Sequence, residues 1–252
     1  MNATPAPWTC PRDATPLEAG HCPTCGTSWP EHHGIPDLLD PPLDPPGAAQ
    51  RAMTSRAVSR VYERWWRPTL TRLAGLVGYA EEAAFLDAAL EGTTGAALDV
   101  ATGTGRYARL LSERGLGPIY ALDASWPMLE QARRTSPDAV HLVHARADHV
   151  PLPDASVQVV ASFGAFHLFP DPWSVLDELA RVLAPGGRLV LHTACEHAEP
   201  ALRIPQRALG SAGFRFVRIE ELLERLEAAG LRPDTWQVAG AVALVSATRT
   251  SG

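Results

Sequence analysis

The chain has 252 residues, 46% of them hydrophobic, with 22 basic against 28 acidic side chains and a net charge of −6. That length supports one full-sized core plus a small appendage, and the acidic balance argues against a general nucleic-acid binder. All 22 basic residues are Arg; without Lys, Schiff-base chemistry, Lys-dependent phosphate loops and a Tyr-Lys dehydrogenase couple are excluded. No run approaches the ~20 apolar residues of a membrane span. The Pro-rich polar start after Met1 has no apolar segment of the secretory kind, so a cytoplasmic protein is expected.

Three of the four Cys fall in the first 25 residues, a pattern of metal binding or free thiols and not of a disulfide scaffold. Cys22-x-x-Cys25 is a knuckle spacing, and Cys10 is followed at the same spacing by Asp13. Because Zn²⁺ accepts carboxylate oxygen, Cys10, Asp13, Cys22 and Cys25 form a candidate metal set, with His21 or His32 as alternatives to Asp13. The competing reading is three free thiols of a decayed site. Eleven of the 23 Pro lie within residues 1–50, ending in "DLLDPPLDPPGAAQ". This predicts a module over 1–40 and a stiff linker over 41–50 that uncouples it from a main domain over 51–252.

Residues 51–92 read as helical, broken near Pro68 or between Gly75 and Gly78. Arg56, Arg60, Arg64 and Arg67 share one face there, beside Tyr62, Trp65 and Trp66. Strand candidates follow at 96–101, 119–122, 140–145, 157–162 and 188–193, alternating with helices at 105–115, 126–136 and 173–184. Asp171 caps the last of these, with Pro172 at its first position. Such alternation implies a parallel α/β sheet with right-handed crossovers. A helix over 218–230 leads into strand candidates 234–239 and 242–249. Only Gly240–Ala241 separates them, which is too short for a crossover and forces an antiparallel hairpin.

The first of these strands runs into "DVATGTGRYARLL", where Gly103 and Gly105 let the backbone turn and approach a ligand at a helix N-terminus. Asp123 ends the next strand, about 20 residues on, where a carboxylate can accept both ribose hydroxyls of an adenosine. "GTGRYA" also satisfies a dinucleotide fingerprint. Asp99, inside the turn, disfavours a pyrophosphate and suits a ligand cationic at sulfur and amine; it also reads as a turn-capping carboxylate. Asp148 follows the third strand, placed to accept from an adenine amine.

"ALDVATGTG", "YALDAS", "ARADHVPLPDASVQVV", "SFGAFHLFPDPWSVLDELARVLAPGGRLVL" and the terminal hairpin resemble the class I S-adenosylmethionine-dependent methyltransferases, in their ubiquinone/menaquinone C-methyltransferase-like branch. The resemblance covers about 51–249 and implies a seven-stranded, mostly parallel sheet of order 3-2-1-4-5-7-6 with strand 7 antiparallel. It implies that Asp99, Ala101, Thr102 and Gly103 line the methionine end of the cofactor, with Phe163 beside them. Asp123 would hold the ribose, Ala124 and Met128 flank the adenine, and Ala147 and Asp148 cap its edge. Ala101 stands where the family has its first glycine. The first 40 residues resemble the zinc-ribbon modules that precede some methyltransferases, including an rRNA guanine methyltransferase group.

The resemblance places His167, after the fourth strand, toward the substrate, where it can orient or deprotonate an acceptor; a loop hydrogen-bonder is the alternative. Tyr62, Arg64 and Trp65 on the helical lid 51–92 can face it across a closed pocket; the alternative is a solvated helix face over buried aromatics. The asparagine-proline-proline-aromatic signature of amide and amino-base methyltransferases is missing at "SFGAFHLF". A small-molecule methyl acceptor is therefore expected. One rival is an rRNA or tRNA base methyltransferase, opposed by the net −5 of residues 1–50; the other is a cofactor-binding protein that transfers no methyl group.

Overall fold

The computed structural model describes residues 7–42, 77–199 and 215–251, together with Arg203 and Gln206. Most of the expected lid, including Tyr62, Arg64 and Trp65, lies outside the described residues, as does the end of the Pro-rich segment. Within the described part, helix α1 spans Tyr79–Ala89. Strands β3 (Ala97–Val100), β4 (Ile119–Asp123), β5 (Val140–His144), β6 (Val157–Phe163) and β7 (Leu183–Ala194) are mutually parallel. Helices α2 (Arg106–Glu113), α3 (Trp126–Thr135) and α4 (Pro172–Val182) connect them. Helix α5 (Ile219–Ala228) precedes the antiparallel pair β8 (Leu231–Ala239) and β9 (Val242–Arg249).

The sheet order β5-β4-β3-β6-β7-β9-β8 is the expected 3-2-1-4-5-7-6 in family numbering. Residues Ala97–Val100 and Ile119–Asp123 are buried on both faces, as strands under two helical layers must be. One layer seats Leu86, Leu111 and Leu129 of α1, α2 and α3; the other seats Leu176, Leu179 and Leu222 of α4 and α5. Asp171 caps α4 by accepting from the Trp173 and Ser174 amides at 3.1 and 3.4 Å. The strand expected at 188–193 begins earlier, at Leu183, directly after α4. Pro185 biases the preceding residue away from helix, and a Cβ on Gly187 would lie 2.8 Å from the Ala184 carbonyl, so only glycine lets the chain lie flush there. Among the described residues no helix is long and apolar enough to cross a membrane.

The amino-terminal module carries strands β1 (Glu31–His32) and β2 (Ile35–Pro36) and packs directly against the β5 edge. Asp37 bridges to His144 in parallel register, extending the sheet, and the Leu38 amide donates to the His144 carbonyl at 2.8 Å. Leu38, 1% exposed, joins the same apolar cluster as Leu98 and Leu122, and the Trp8 ring meets Tyr120 edge-on at 5.4 Å. The mechanical uncoupling expected from the prolines is therefore not what the contacts describe. Module and sheet share one core.

This packing makes Leu38→Ala a test. Losing a fully buried Leu costs ~2–5 kcal/mol, so urea unfolding is expected to shift as a single transition, coincident by tryptophan fluorescence and far-ultraviolet circular dichroism. A separate early transition, with the main one unmoved, would show that the module folds apart.

Candidate active site and metal centre

β3, β4 and β5 all end at one rim of the sheet, and the turn after β3 bends over it. Ala101, Gly103 and Gly105 have φ of +56°, +56° and +83°. The first is a position where a side chain costs ~1–2 kcal/mol, which accounts for the family's glycine there. Asp99, 1% exposed, uses Oδ2 twice, accepting from the Thr102 hydroxyl at 2.6 Å and from the Ala108 amide of α2 at 2.9 Å. It thereby locks the turn to the helix start, as the capping reading proposed. Burial pushes its carboxyl up to about 7, against the pull of those two donors.

Asp123 joins the turn to the neighbouring strand. Its Oδ2 accepts from the Gly103 amide at 2.8 Å and its Oδ1 from the Ser125 amide at 2.8 Å. Burial raises its carboxyl above the usual range while the Gly103 and Ser125 amides and the charge of His144 hold it down. Each oxygen keeps a further lone pair, so the carboxylate can accept two more donors. A Cβ on Gly103 would meet nothing within 4 Å, which leaves open space over the turn beside that carboxylate. Ala124 follows directly, and Met128 is buried in α3. Asp123, Ala124 and Met128 thus follow one another from the end of β4 into α3.

Other expected residues are placed differently. Both oxygens of Asp148 are engaged by Arg146, at 2.8 and 2.6 Å, and despite burial that guanidinium holds the carboxyl below its usual range. Ala147 is buried next to it. His167 sits in the short 3₁₀ turn Phe166–Leu168, where its Nδ1 accepts from the Ala194 amide at 3.3 Å. With that lone pair engaged, a neutral ring carries its proton on Nε2 and is a donor, not a base. Phe163 lies flat on Tyr107, with centroids 3.9 Å apart.

Beneath that stack is a group missed at the sequence level. Glu82 of α1, 1% exposed, accepts from the Tyr107 hydroxyl, and its Oε1 lies 3.6 Å from Nδ1 of His192, at the level of Phe163 on β7. A carboxylate, a phenol and an imidazole thus meet at the carboxyl ends of β6 and β7, a constellation able to hold or relay a proton. Nothing in the spacing links a helix acid to a distant strand histidine. Only the sheet order does.

At the amino terminus the two knuckles are built alike. Ala14 and Gly26, at φ +58° and +73°, turn back to donate to the carbonyls of Cys10 and Cys22, and the Cys10 and Cys22 amides donate to the Thr15 and Thr27 carbonyls. Asp13 therefore occupies in the first knuckle the place of Cys25 in the second. One ligand atom each from Cys10, Asp13, Cys22 and Cys25 lies within 4.8 Å of all the others. The Cys10 and Cys25 sulfurs are 3.7 Å apart, close to the ~3.8 Å that two 2.3 Å bonds to a tetrahedral zinc require. The alternatives fall away: His21 pairs with Ser28 at 3.1 Å, and His32 lies edge-on to Trp126.

The raised Asp99 gives a pH signature. A folded value above the unfolded one means that this group favours the fold below about pH 4 and that the contribution is lost as pH rises through about 7. Asp99→Asn keeps an acceptor for Thr102 and Ala108, so urea titrations at pH 5 and pH 8 should show a smaller loss than wild type. Asp123, shifted in the same direction, adds to the remaining slope, and His141, lowered by burial, opposes it. A variant with the wild-type slope would contradict the assignment.

Residues 98–191 match the model of the methyltransferase domain. The demethylmenaquinone methyltransferase of Thermus thermophilus is 42% identical over 110 residues, 42% of this chain and 50% of that protein. An uncharacterized chloroplast methyltransferase of Arabidopsis thaliana is 32% identical over 211 residues, 77% of this chain and 59% of that one. The chain spans about half the length of the curated relatives it matches. Among solved structures, the cyclase SpnF superposes with a TM-score of 0.62 at 18% identity, covering 82% of this chain and 99% of that one. The sheet order and the glycine turn agree with the methyltransferase domain that residues 98–191 match.

Proposed function

We propose that the protein transfers a methyl group from S-adenosylmethionine to a small-molecule acceptor. The observation that carries this is the Gly103–Asp123 junction: a buried carboxylate with spare lone pairs beside open space over a glycine turn. In this reading Asp123 holds the ribose hydroxyls, Ala124 and Met128 flank the adenine, and Ala147 lies at its edge. Asp148 contributes there through its pair with Arg146. Asp99, Ala101, Thr102, Gly103 and Phe163 surround the methionine end.

Bound S-adenosylmethionine supplies an electrophilic methyl on a sulfonium. The chain must then exclude water, hold the acceptor atom in line and manage its proton. His167 would orient an acceptor through Nε2–H, while Glu82, Tyr107 and His192 offer a place for a proton. Tyr62, Arg64 and Trp65 are proposed as the covering acceptor contacts. Support for a small acceptor comes from the relative whose printed substrate is demethylmenaquinone. A cofactor-binding role without methyl transfer is the second reading, favoured by the likeness to a cyclase of this fold.

We also propose one zinc at Cys10, Asp13, Cys22 and Cys25, where the donors have the spacing of a tetrahedral site. A cytoplasmic setting, where thiols stay reduced and available to a metal, fits that reading.

Two measurements check these readings. Calorimetry with S-adenosylhomocysteine should show binding, and Asp123→Ala should weaken it ~10-fold or more by removing a charge-assisted acceptor pair. Tighter binding of a nicotinamide dinucleotide, or none at millimolar S-adenosylhomocysteine, would overturn the cofactor. Elemental analysis of protein purified without chelator should give close to one zinc, retained in Asp13→Cys and lost in Cys22→Ser. Wild-type protein free of metal would favour the decayed-site reading.

A further inference from the structure

The contact between the amino-terminal module and the sheet ends at the cofactor loop. Asp37, next to β2, accepts through Oδ1 from Nδ1 of His144 at 2.7 Å, and His144 reaches through Nε2 to the Ala124 carbonyl at 3.1 Å. Carboxylate and carbonyl are both acceptors, and the ring lies between them, one nitrogen facing each. The bridge is sheltered: His144 is 7% exposed, and Trp126 lies on it at 4.3 Å with His32 of β1 edge-on beyond. Backbone bonds hold the same place. Leu38 donates to the His144 carbonyl, and the Ala145 amide donates to the Asp123 carbonyl at 3.1 Å.

We propose that Asp37 and His144 are positioning residues for the cofactor site, through which the amino-terminal module fixes the loop carrying Asp123 and Ala124. The inference rests on the cofactor reading above and adds to it a role for a module outside the matched residues 98–191. The loop Asp123–Ser125 is held from two sides. The Gly103 and Ser125 amides fix the Asp123 carboxylate, and His144 fixes the next carbonyl. Burial raises the Asp123 carboxyl, and His144 lies close enough to pull it down. Without Asp37 the imidazole loses the acceptor that fixes its ring through Nδ1. Its grip on the Ala124 carbonyl then slackens, and with it the loop that carries Asp123.

The test is S-adenosylhomocysteine affinity of the full chain, by calorimetry at a temperature where every variant is folded. Asp37→Ala should weaken binding by roughly three- to tenfold. Asp37→Asn, which keeps an acceptor oxygen for Nδ1, should recover most of the loss. Leu226→Ala, on the buried face of α5, serves as the control: it should lower the melting temperature and leave affinity unchanged. Equal affinity of wild type and Asp37→Ala, or equal losses in Asp37→Ala and Leu226→Ala, would overturn the positioning role. Failure of wild type itself to bind would instead remove the cofactor reading on which it rests.

Discussion

A single hydrogen bond, from the Gly103 amide to the Asp123 carboxylate, ties the turn after β3 to the end of β4. It satisfies a backbone donor that the left-handed turn would leave exposed, and it places a buried acid at the rim of the sheet. Burying that acid is costly in an apolar interior. The surrounding structure offsets the cost with the Ser125 amide and the His144 ring. Asp99 beneath is bonded differently: both of its donors meet one oxygen, and burial raises its carboxyl to about 7. Burial thus raises both carboxyls at this turn, and they differ in their bonds: Asp123 takes one donor on each oxygen, while Asp99 braces the turn against the helix start.

The same rim explains why the amino-terminal module matters to the rest. β5 is the edge of the sheet, and an uncovered edge exposes unpaired backbone groups. The Asp37–Leu38 segment covers its end, and Trp8, Leu17 and Trp29 pack against the core behind it. A module of this size has little core of its own; the shared apolar contacts stabilise it. The cysteine cluster lies beside the docking face: Thr9, next to Cys10, donates its amide to the Pro151 carbonyl at 3.0 Å, and Trp8 meets Tyr120. Whatever orders the knuckles therefore bears on the segment that reaches His144.

Much of this was readable in advance where local rules act. The hairpin of β8 and β9 followed from a two-residue connection, α4 from Asp171 and Pro172, and an acid at the rim from the place of Asp123 at the end of the second strand. What stayed hidden depends on contacts between distant parts of the chain. Asp37 stood only as the first residue of the Pro-rich run, because its partner His144 lies on β5. Glu82 and His192 meet only once the sheet order brings α1 over β7. Asp148 read as a free acceptor because nothing in "ARADH" shows that Arg146 folds back onto it. The early start of β7 was masked by Pro185–Gly187, ordinarily a turn, which here lies in the strand because Gly187 fits against Ala184 and Gln158.

The central claim is that one cleft, built on the Gly103–Asp123 junction, receives an adenosine-bearing cofactor. Hydrogen–deuterium exchange with and without S-adenosylhomocysteine tests it most directly, because protection is read segment by segment. The account predicts slower exchange in peptides covering residues 99–109 and 122–130, with the β8–β9 hairpin unaffected. Protection elsewhere, with the turn and the Asp123 loop exchanging as in the free protein, would contradict it.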